Sequence, residues 1–390
     1  ISMKKTLSLQ ALATFILLSC TSPSDQKKAS AEEGSPEVVT TDLNMSMKNL
    51  VLPEGFDISI YATVENARSM ALSPSGVLYV GNRDEDKVYA VVNQDGDQVA
   101  ETVYVIDDDL KMPNGVAFRD GDLYVGAVDR LLKYENVEAD LSNPKEPIVI
   151  YEDFPKDKHH GWKYMAFGPD GKLYIPVGAP CNVCESKKEI YATMTRMNAD
   201  GTGLEIFAKG IRNTVGFDWH PETKELWFTD NGRDMLGDDI PPCELNRAPK
   251  AGMHFGYPYC HGGDIGDPEF GSKFSCSDFT PPAHKFGAHV APLGMKFYTG
   301  DMFPEEYKGD VFVAQHGSWN RSKKVGYQVV RVVMDGSKVI RSEPFVQGWL
   351  DQEEQEAFGR PADVLVMPDG ALLVSDDKAG VIYRIAYAKK

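Results

Sequence analysis

From Leu50 onward, the hydrophobic positions recur in one phrase: an apolar run, a polar turn built around Pro, Asp or Gly, and a second apolar run. The phrase stands at Met70–Gly81, at Val116–Gly126 and at Met165–Ile175, the last reading MAFGPDGKLYI. It returns at Gly216–Thr229, in a divergent form at Leu293–Ala314, and again at Val364–Ser375. Short apolar runs bounded by turn formers suit strands and are too brief for helices, so each copy predicts a β-hairpin. The fourth copy predicts strands at Ile211–Asp218 and Glu225–Thr229 around a polar turn at His220–Lys224.

The second runs begin at Leu78, Leu123, Leu173, Leu226, Val311 and Leu372, in steps of 45, 50, 53, 85 and 61 residues. A period of about 40–50 residues with several strands per unit is that of propeller blades. Six copies therefore predict an all-β, six-bladed β-propeller over residues 50–390. The longest step holds a Gly- and Cys-rich insert, expected from Asn231 to about His289. A β-sandwich also uses short strands, but it does not require hairpins at this spacing. Amphipathic helix patterns are absent, apart from a single turn expected at Glu353–Phe358.

Ahead of the repeats, Met3-Lys4-Lys5 and the apolar run Leu7–Leu18 predict a secretion signal, too short to span a bilayer. It ends Leu17-Leu18-Ser19-Cys20, which resembles a bacterial lipobox. The expectation is a signal peptide over residues 1–19 and a lipid anchor on Cys20, holding an exported protein at a periplasmic or outer membrane surface. An ordinary secretion signal is the plainer alternative. Residues 20–49, rich in Ser, Glu, Lys and Thr, predict a flexible tether.

The net charge of −17 leaves no basic surplus for nucleic acid or anionic lipid. Export permits disulfides. Cys181 and Cys184 have CxxC spacing, but Glu185 follows where haem attachment needs His, and no second CxxC completes a zinc site. These two are expected to pair or lie adjacent, and Cys260 is expected to bond Cys276, which leaves Cys243 as the odd thiol.

In a propeller, loops from every blade converge on the central channel at one face. Candidate residues fall at matching points of their repeats: Asn114 before the second copy, His160 before the third, Arg212-Asn213 before the fourth and Arg360 before the sixth. His316-Gly317-Ser318-Trp319-Asn320-Arg321 follows the fifth copy. The shared phase places His160, Arg212 and Arg360 at one end of the channel. An isolated loop histidine or arginine is more often only solvated. The loop from Asn231 to Asp239 is crowded with oxygen donors.

On these motifs the chain resembles the soluble quinoproteins, the glucose/sorbosone dehydrogenases that use pyrroloquinoline quinone (PQQ), and most of all the sorbosone-dehydrogenase-like branch. The residues that carry the likeness are His160 upstream of FGPDG, Gly210-Ile211-Arg212-Asn213, WFTDNGRD from Trp227, Glu244-Leu245-Asn246, Phe255-Gly256-Tyr257-Pro258 and HGSWNR from His316. The resemblance implies a propeller holding PQQ over its channel with calcium beneath the quinone, oxidising a sugar, aldose or related polyol. It implies His160 as the general base, a role suited to an imidazole near neutral pH. Arg212 and Arg360 are implied partners of the cofactor's three carboxylates. Asn213 and Asn114 are implied cofactor contacts, and His316 or Arg321 stands in for the relatives' cofactor lysine. Calcium is implied on carbonyls at Gly232 and Arg233, with Glu244 and the Phe255 carbonyl serving a second, structural ion. Three positions depart from the pattern: His159 stands beside the base in place of Asp, Ala362 in place of a second arginine, and Cys243 in place of an acidic residue. Without a haem-attachment motif, electrons are expected to leave to a separate acceptor, a cytochrome or the quinone pool.

Two rival functions use the same fold. A calcium-dependent lactonase wants a carboxylate-rich cage in the channel, and a noncatalytic glycan-binding propeller leaves His160 and the arginines as solvated loop ends.

Overall fold

The computed structural model describes residues 47–388. The leader, Cys20 and the tether up to residue 46 lie outside the described residues.

Six four-stranded antiparallel sheets follow one another along the chain. The first consists of Ala67–Leu72, Leu78–Asn82, Val88–Val92 and Thr102–Asp107, and the second of Gly115–Arg119, Asp122–Gly126, Leu131–Tyr134 and Ile148–Tyr151. Ala166–Phe167, Leu173–Val177, Thr193–Met197 and Glu205–Lys209 form the third, and Phe217–Trp219, Leu226–Asp230, Pro242–Ala248 and His284–Ala288 the fourth. The fifth comprises Pro292–Phe297, Val311–Gln315, Gln328–Asp335 and Lys338–Val346. In the sixth, Pro361–Val366, Leu372–Asp376 and Val381–Tyr387 are joined by the N-terminal strand Phe56–Thr63, whose Phe56 pairs with Tyr387. The first and last strands of the fold thus share a blade, which closes the ring.

Each repeat of the sequence is the inner hairpin of one blade. The six positions that open the second runs face Leu72, Phe118, Phe167, Trp219, Phe297 and Val366 across their hairpins. The physical reason is burial on two sides. Leu173–Val177, Leu226–Asp230 and Val311–Gln315 are buried at every residue, sandwiched between neighbouring sheets, and so read as continuous apolar runs. Outer strands such as Thr102–Asp107 alternate exposed and covered positions. Near the axis the inner strands crowd together. A Cβ on Gly81 would lie 2.1 Å from the Asn114 carbonyl oxygen, and one on Gly216 would lie 2.2 Å from that of Leu293, so only glycine fits at either position.

The insert is narrower than the sequence suggests. Pro242–Ala248 and His284–Ala288 are the outer strands of the fourth blade, and the true insert lies between them. Its Met253–His254 adds a parallel strand to the third blade, with Ala208 opposite Met253, and its Cys260–Cys276 disulfide closes the following loop. Cys181 bonds Cys184, and Cys243 is free and buried, as expected. The expected helical turn at Glu353–Phe358 does not form. Asp351 Oδ1 accepts from the Glu353 and Glu354 amides in a local turn, and Ala357 bridges to Leu350.

Candidate active site

One end of the channel gathers the starts of the six first strands and the ends of the six second strands. A cavity of about 310 Å³ opens there, with His160, Arg212, Asn213, Gly232, His316 and Arg360 in its wall. Below it, Val215, Leu293, Ala362 and the half-buried Trp162 pack into an apolar floor.

His160 sits on a tight turn with φ of +50°, in the left-handed region that costs a non-glycine residue free energy and that clusters at functional sites. Gly178 makes room for it, since a Cβ there would lie 2.6 Å from the His160 Cβ. The ring nitrogen Nδ1 is 2.9 Å from the Ala179 carbonyl oxygen, which only accepts, so Nδ1 carries the proton and Nε2 remains an acceptor. Burial, then the charges of Arg212 and His159, hold the imidazole well below its usual pKa. It is therefore neutral at pH 7. His159 beside it is exposed and outside the cavity wall.

Four guanidinium groups converge on this space. Arg212 donates from Nε to the Asn182 carbonyl at 2.9 Å and from Nη1 to the Asn231 carbonyl at 3.1 Å, and its Nη2 faces Asp234 at 3.2 Å. Arg360 donates to the carbonyls of His316 and Gly317 at 3.0 and 2.9 Å. Arg68 pairs with the covered Asp377 carboxylate at 2.6 Å, and Arg83 lies over the Trp162 ring at 4.4 Å with its buried Nε 3.7 Å from Asp84, too far for a hydrogen bond. His316 donates from Nε2 to Asp377 at 2.9 Å, yet burial outweighs that carboxylate and brings its pKa down to about 4. Asp234 is the single carboxylate among the described residues lining the cavity.

Several expected contacts lie elsewhere. Asn114 is buried behind the wall, where it accepts from Arg68 Nε at 3.2 Å and donates to Ser69 and the Lys163 carbonyl. It reaches the cavity through Arg68 and is not itself in the wall. Arg321 is drawn out of the cavity by the Asp238 carbonyl and the Asp239 carboxylate, which it pairs at 3.2 Å. The Arg233 side chain pairs with Asp267 and Glu269, which leaves its backbone carbonyl, the group expected to meet calcium, untouched. Glu244 and Phe255, expected at a second ion rather than in this cavity, are both buried outside its wall: Glu244 accepts from the Gly262 amide at 2.7 Å, and the Phe255 ring packs edge-on against Phe228. Burial, then the charge of Asp230 on the adjacent strand, push the Glu244 carboxyl upward. Among the described residues, the one group of three or more ligating side chains close enough to share a cation is Asp95, Asp97 and Glu101, exposed on the first blade and outside the cavity wall.

Arg68, Arg83 and Asp377 were not singled out from the sequence, whereas the exposed Trp319 of the rim belongs to the HGSWNR stretch named there. Arg68 and Asp377 hold the same phase as Arg212 and His316, which is the signal that finds them.

The model of the TrAA12-like family matches residues 50–388. An uncharacterised protein of Borreliella burgdorferi is 34% identical over 356 residues, 87% of this chain and 91% of that protein. The iodide structure of a Trichoderma reesei carbohydrate-active enzyme of family AA12 superposes with a TM-score of 0.76 at 19% identity, covering 87% of this chain and 97% of the other. The holo form of the pyranose dehydrogenase PQQ domain from Coprinopsis cinerea gives 0.74 at 17% identity, over 86% and 97% of the two chains. At these identities the structural likenesses establish the fold.

Proposed function

We infer the function of this chain from one premise: it belongs to the TrAA12-like family. It is a PQQ-dependent sugar dehydrogenase that removes a hydride from a sugar CH–OH group and passes electrons to an external acceptor. The observation that carries this reading is a cavity walled by four arginines and a neutral buried histidine, in a chain of net charge −17. An anionic organic ligand matches that wall, and a PQQ domain of a pyranose dehydrogenase shares the fold.

The donor set fits the cofactor. Arg68, Arg83, Arg212 and Arg360 would hold its carboxylates, with the Asn213 amide as a further contact. The chemistry PQQ supplies when bound is two-electron oxidation by accepting a hydride. His160 Nε2 takes the proton of the sugar hydroxyl, which its neutral state permits at pH 7. Trp319, 68% exposed on the rim, offers an apolar face to a sugar ring, and the floor at Leu293 and Val215 excludes water from below.

Calcium is the finer part of the reading. Asn213 and Gly232 offer hard oxygens, but Asp234 already faces Arg212, and four cations surround the space. That set does not fit a cation held by protein alone, and no step is derived through it. The expected outcome is linkage: calcium binds this cavity only together with PQQ and tightens it, and titrating PQQ with calcium or with EGTA measures the effect in both directions.

One observation favours a second assignment of the base. His316 is held through Nε2 by Asp377, which leaves Nδ1 as an acceptor in the same cavity. His160→Gln and His316→Gln separate the two, since the base is the residue whose loss lowers kcat at saturating PQQ. The reaction as a whole is tested by calorimetric titration of the protein with PQQ, followed by dye reduction with aldoses. Absence of PQQ binding would refute it. Hydrolysis of a lactone without PQQ would support the rival hydrolase.

A further inference from the structure

The orientation of Arg212 is set by one residue on a loop that contributes nothing else to the cavity wall. Asn182 lies between Cys181 and Cys184, and their disulfide closes a ring around it. Its carbonyl accepts from Arg212 Nε at 2.9 Å, and its side-chain oxygen accepts from Arg212 Nη2 at 2.9 Å. The same oxygen accepts from the Asp234 amide at 2.8 Å, while its Nδ2 donates to the Asp234 carbonyl at 3.0 Å. One asparagine therefore fixes both the guanidinium and the chain at Asp234, two residues from Gly232. Tyr257 pins the ring from behind: its hydroxyl accepts from the Cys184 amide at 3.1 Å and lies 3.4 Å from Cys181 Sγ.

Two features set this disulfide apart from a staple of the fold. Its cysteines are three positions apart, against sixteen for Cys260–Cys276, and loop-closure entropy grows with loop length. It therefore constrains the unfolded chain least. What it restricts most is the local backbone that presents both Asn182 oxygens to one guanidinium.

We propose that Asn182 is the positioning residue of Arg212 and Asp234, and that the Cys181–Cys184 ring holds it in the geometry this requires. The proposal rests on the reading of Arg212 as a cofactor-holding group. A free Arg212 side chain samples many rotamers, and ordering it on binding costs affinity. Asn182 orders it beforehand through neutral oxygens, which leaves its charge available to an anion.

The test uses the whole chain in four forms: unchanged, Asn182→Ala, Asn182→Asp and Cys181→Ser/Cys184→Ser. Each is titrated with PQQ by tryptophan-fluorescence quenching, and amide hydrogen exchange is followed over residues 231–235 of the cofactor-free protein. Asn182→Ala and the double serine variant are expected to weaken PQQ roughly tenfold, the scale of one or two lost charge-assisted bonds. Their kcat at saturating PQQ is expected to stay within about twofold, and exchange at Asp234 to rise. Asn182→Asp keeps the acceptors for Arg212 and for the Asp234 amide but brings a negative charge, so it is expected to hold exchange at Asp234 near that of the unchanged chain while still weakening PQQ. Unchanged PQQ affinity and unchanged exchange in Asn182→Ala overturn the proposal, as does an aspartate variant whose exchange at Asp234 rises as far as that of alanine. If the unchanged chain fails to bind PQQ, the cofactor reading falls, while raised exchange at Asp234 still upholds the positioning of the loop. Should Asn182→Ala not fold, the aspartate and double serine variants decide the question by the same readouts.

Discussion

Replacing Asp377 by asparagine removes the one negative charge that Arg68 and His316 share. Arg68 Nη1 stands 2.6 Å from one carboxylate oxygen and His316 Nε2 stands 2.9 Å away, with all three side chains nearly covered. Burial raises the Asp377 pKa, but His316 and Arg68 together outweigh it and hold the group below the usual carboxylate range. Removing one partner of a buried pair leaves an uncompensated charge and costs about 3–5 kcal/mol. Unfolding entropy near 2.1 cal/mol/K per residue, over roughly 340 residues, makes one degree worth about 0.7 kcal/mol. Asp377→Asn should therefore lower the melting temperature of the cofactor-free protein by about 4–7 °C. A depressed carboxylate contributes stability that is fully present above its unfolded pKa near 4 and is lost only as pH falls through the folded value. The penalty should accordingly be the same at pH 8 and at pH 5. Scanning calorimetry at both pH values measures it. Saturating PQQ should recover part of the loss, because an anion returns beside Arg68. A variant melting within a degree of the unchanged protein would show that Arg68 does not depend on this carboxylate.

His160→Ala should lower sugar-dependent dye reduction about a hundredfold or more with PQQ affinity nearly unchanged, whereas His159→Ala should leave turnover close to normal. The opposite result, loss with His159 alone, would transfer the role of base to the exposed neighbour. Arg360→Ala should weaken PQQ about tenfold, and Arg321→Ala, whose guanidinium is held outside the cavity, should change the affinity less than twofold in the same titration. Cys20→Ser should move the protein from the membrane fraction to the soluble one; continued sedimentation with membranes would count against a lipid anchor.

The inner hairpins were legible because their second strands are covered on both faces, so that LYIPV at Leu173 and VFVAQ at Val311 stand out as apolar runs between turn residues. Outer strands carry no such signal. Pro242–Ala248 reads PCELNRA, and its buried Glu244 and Asn246 disguise a strand as part of a loop. Closure of the ring was equally hidden. Phe56–Thr63 alternates like any strand, but its pairing with Val381–Tyr387 is a fact of topology with no local trace. At the site, phase within the repeat located His160, Arg212 and Arg360. It missed Arg68 because the first copy was aligned from Met70, two residues later. Phase also could not rank residues within one loop: His316 and Arg321 share a motif, yet only His316 lines the cavity, because the carbonyl and carboxylate of Asp238 and Asp239 capture the arginine.

The manner in which the arginines are held bears on what the cavity can accept. A guanidinium oriented by carboxylates is aimed and neutralised together. Here Arg360 is oriented by the carbonyls of His316 and Gly317, and Arg212 chiefly by those of Asn182 and Asn231, dipoles that direct the group without cancelling its charge. Arg68, Arg83 and Arg212 also meet a carboxylate, at Asp377, Asp84 and Asp234, and Arg360 pairs with none. The wall therefore keeps a positive field despite the acidic chain around it, and burial preserves that field against screening. The four groups enter from the first, fourth and sixth blades, so their separation is fixed by the ring of sheets rather than by one mobile loop. Such a wall favours a rigid ligand with several negative charges over a small mobile anion, which can satisfy one arginine but not the set. It also disfavours a bare divalent cation, the ligand a hydrolytic propeller would need at this place.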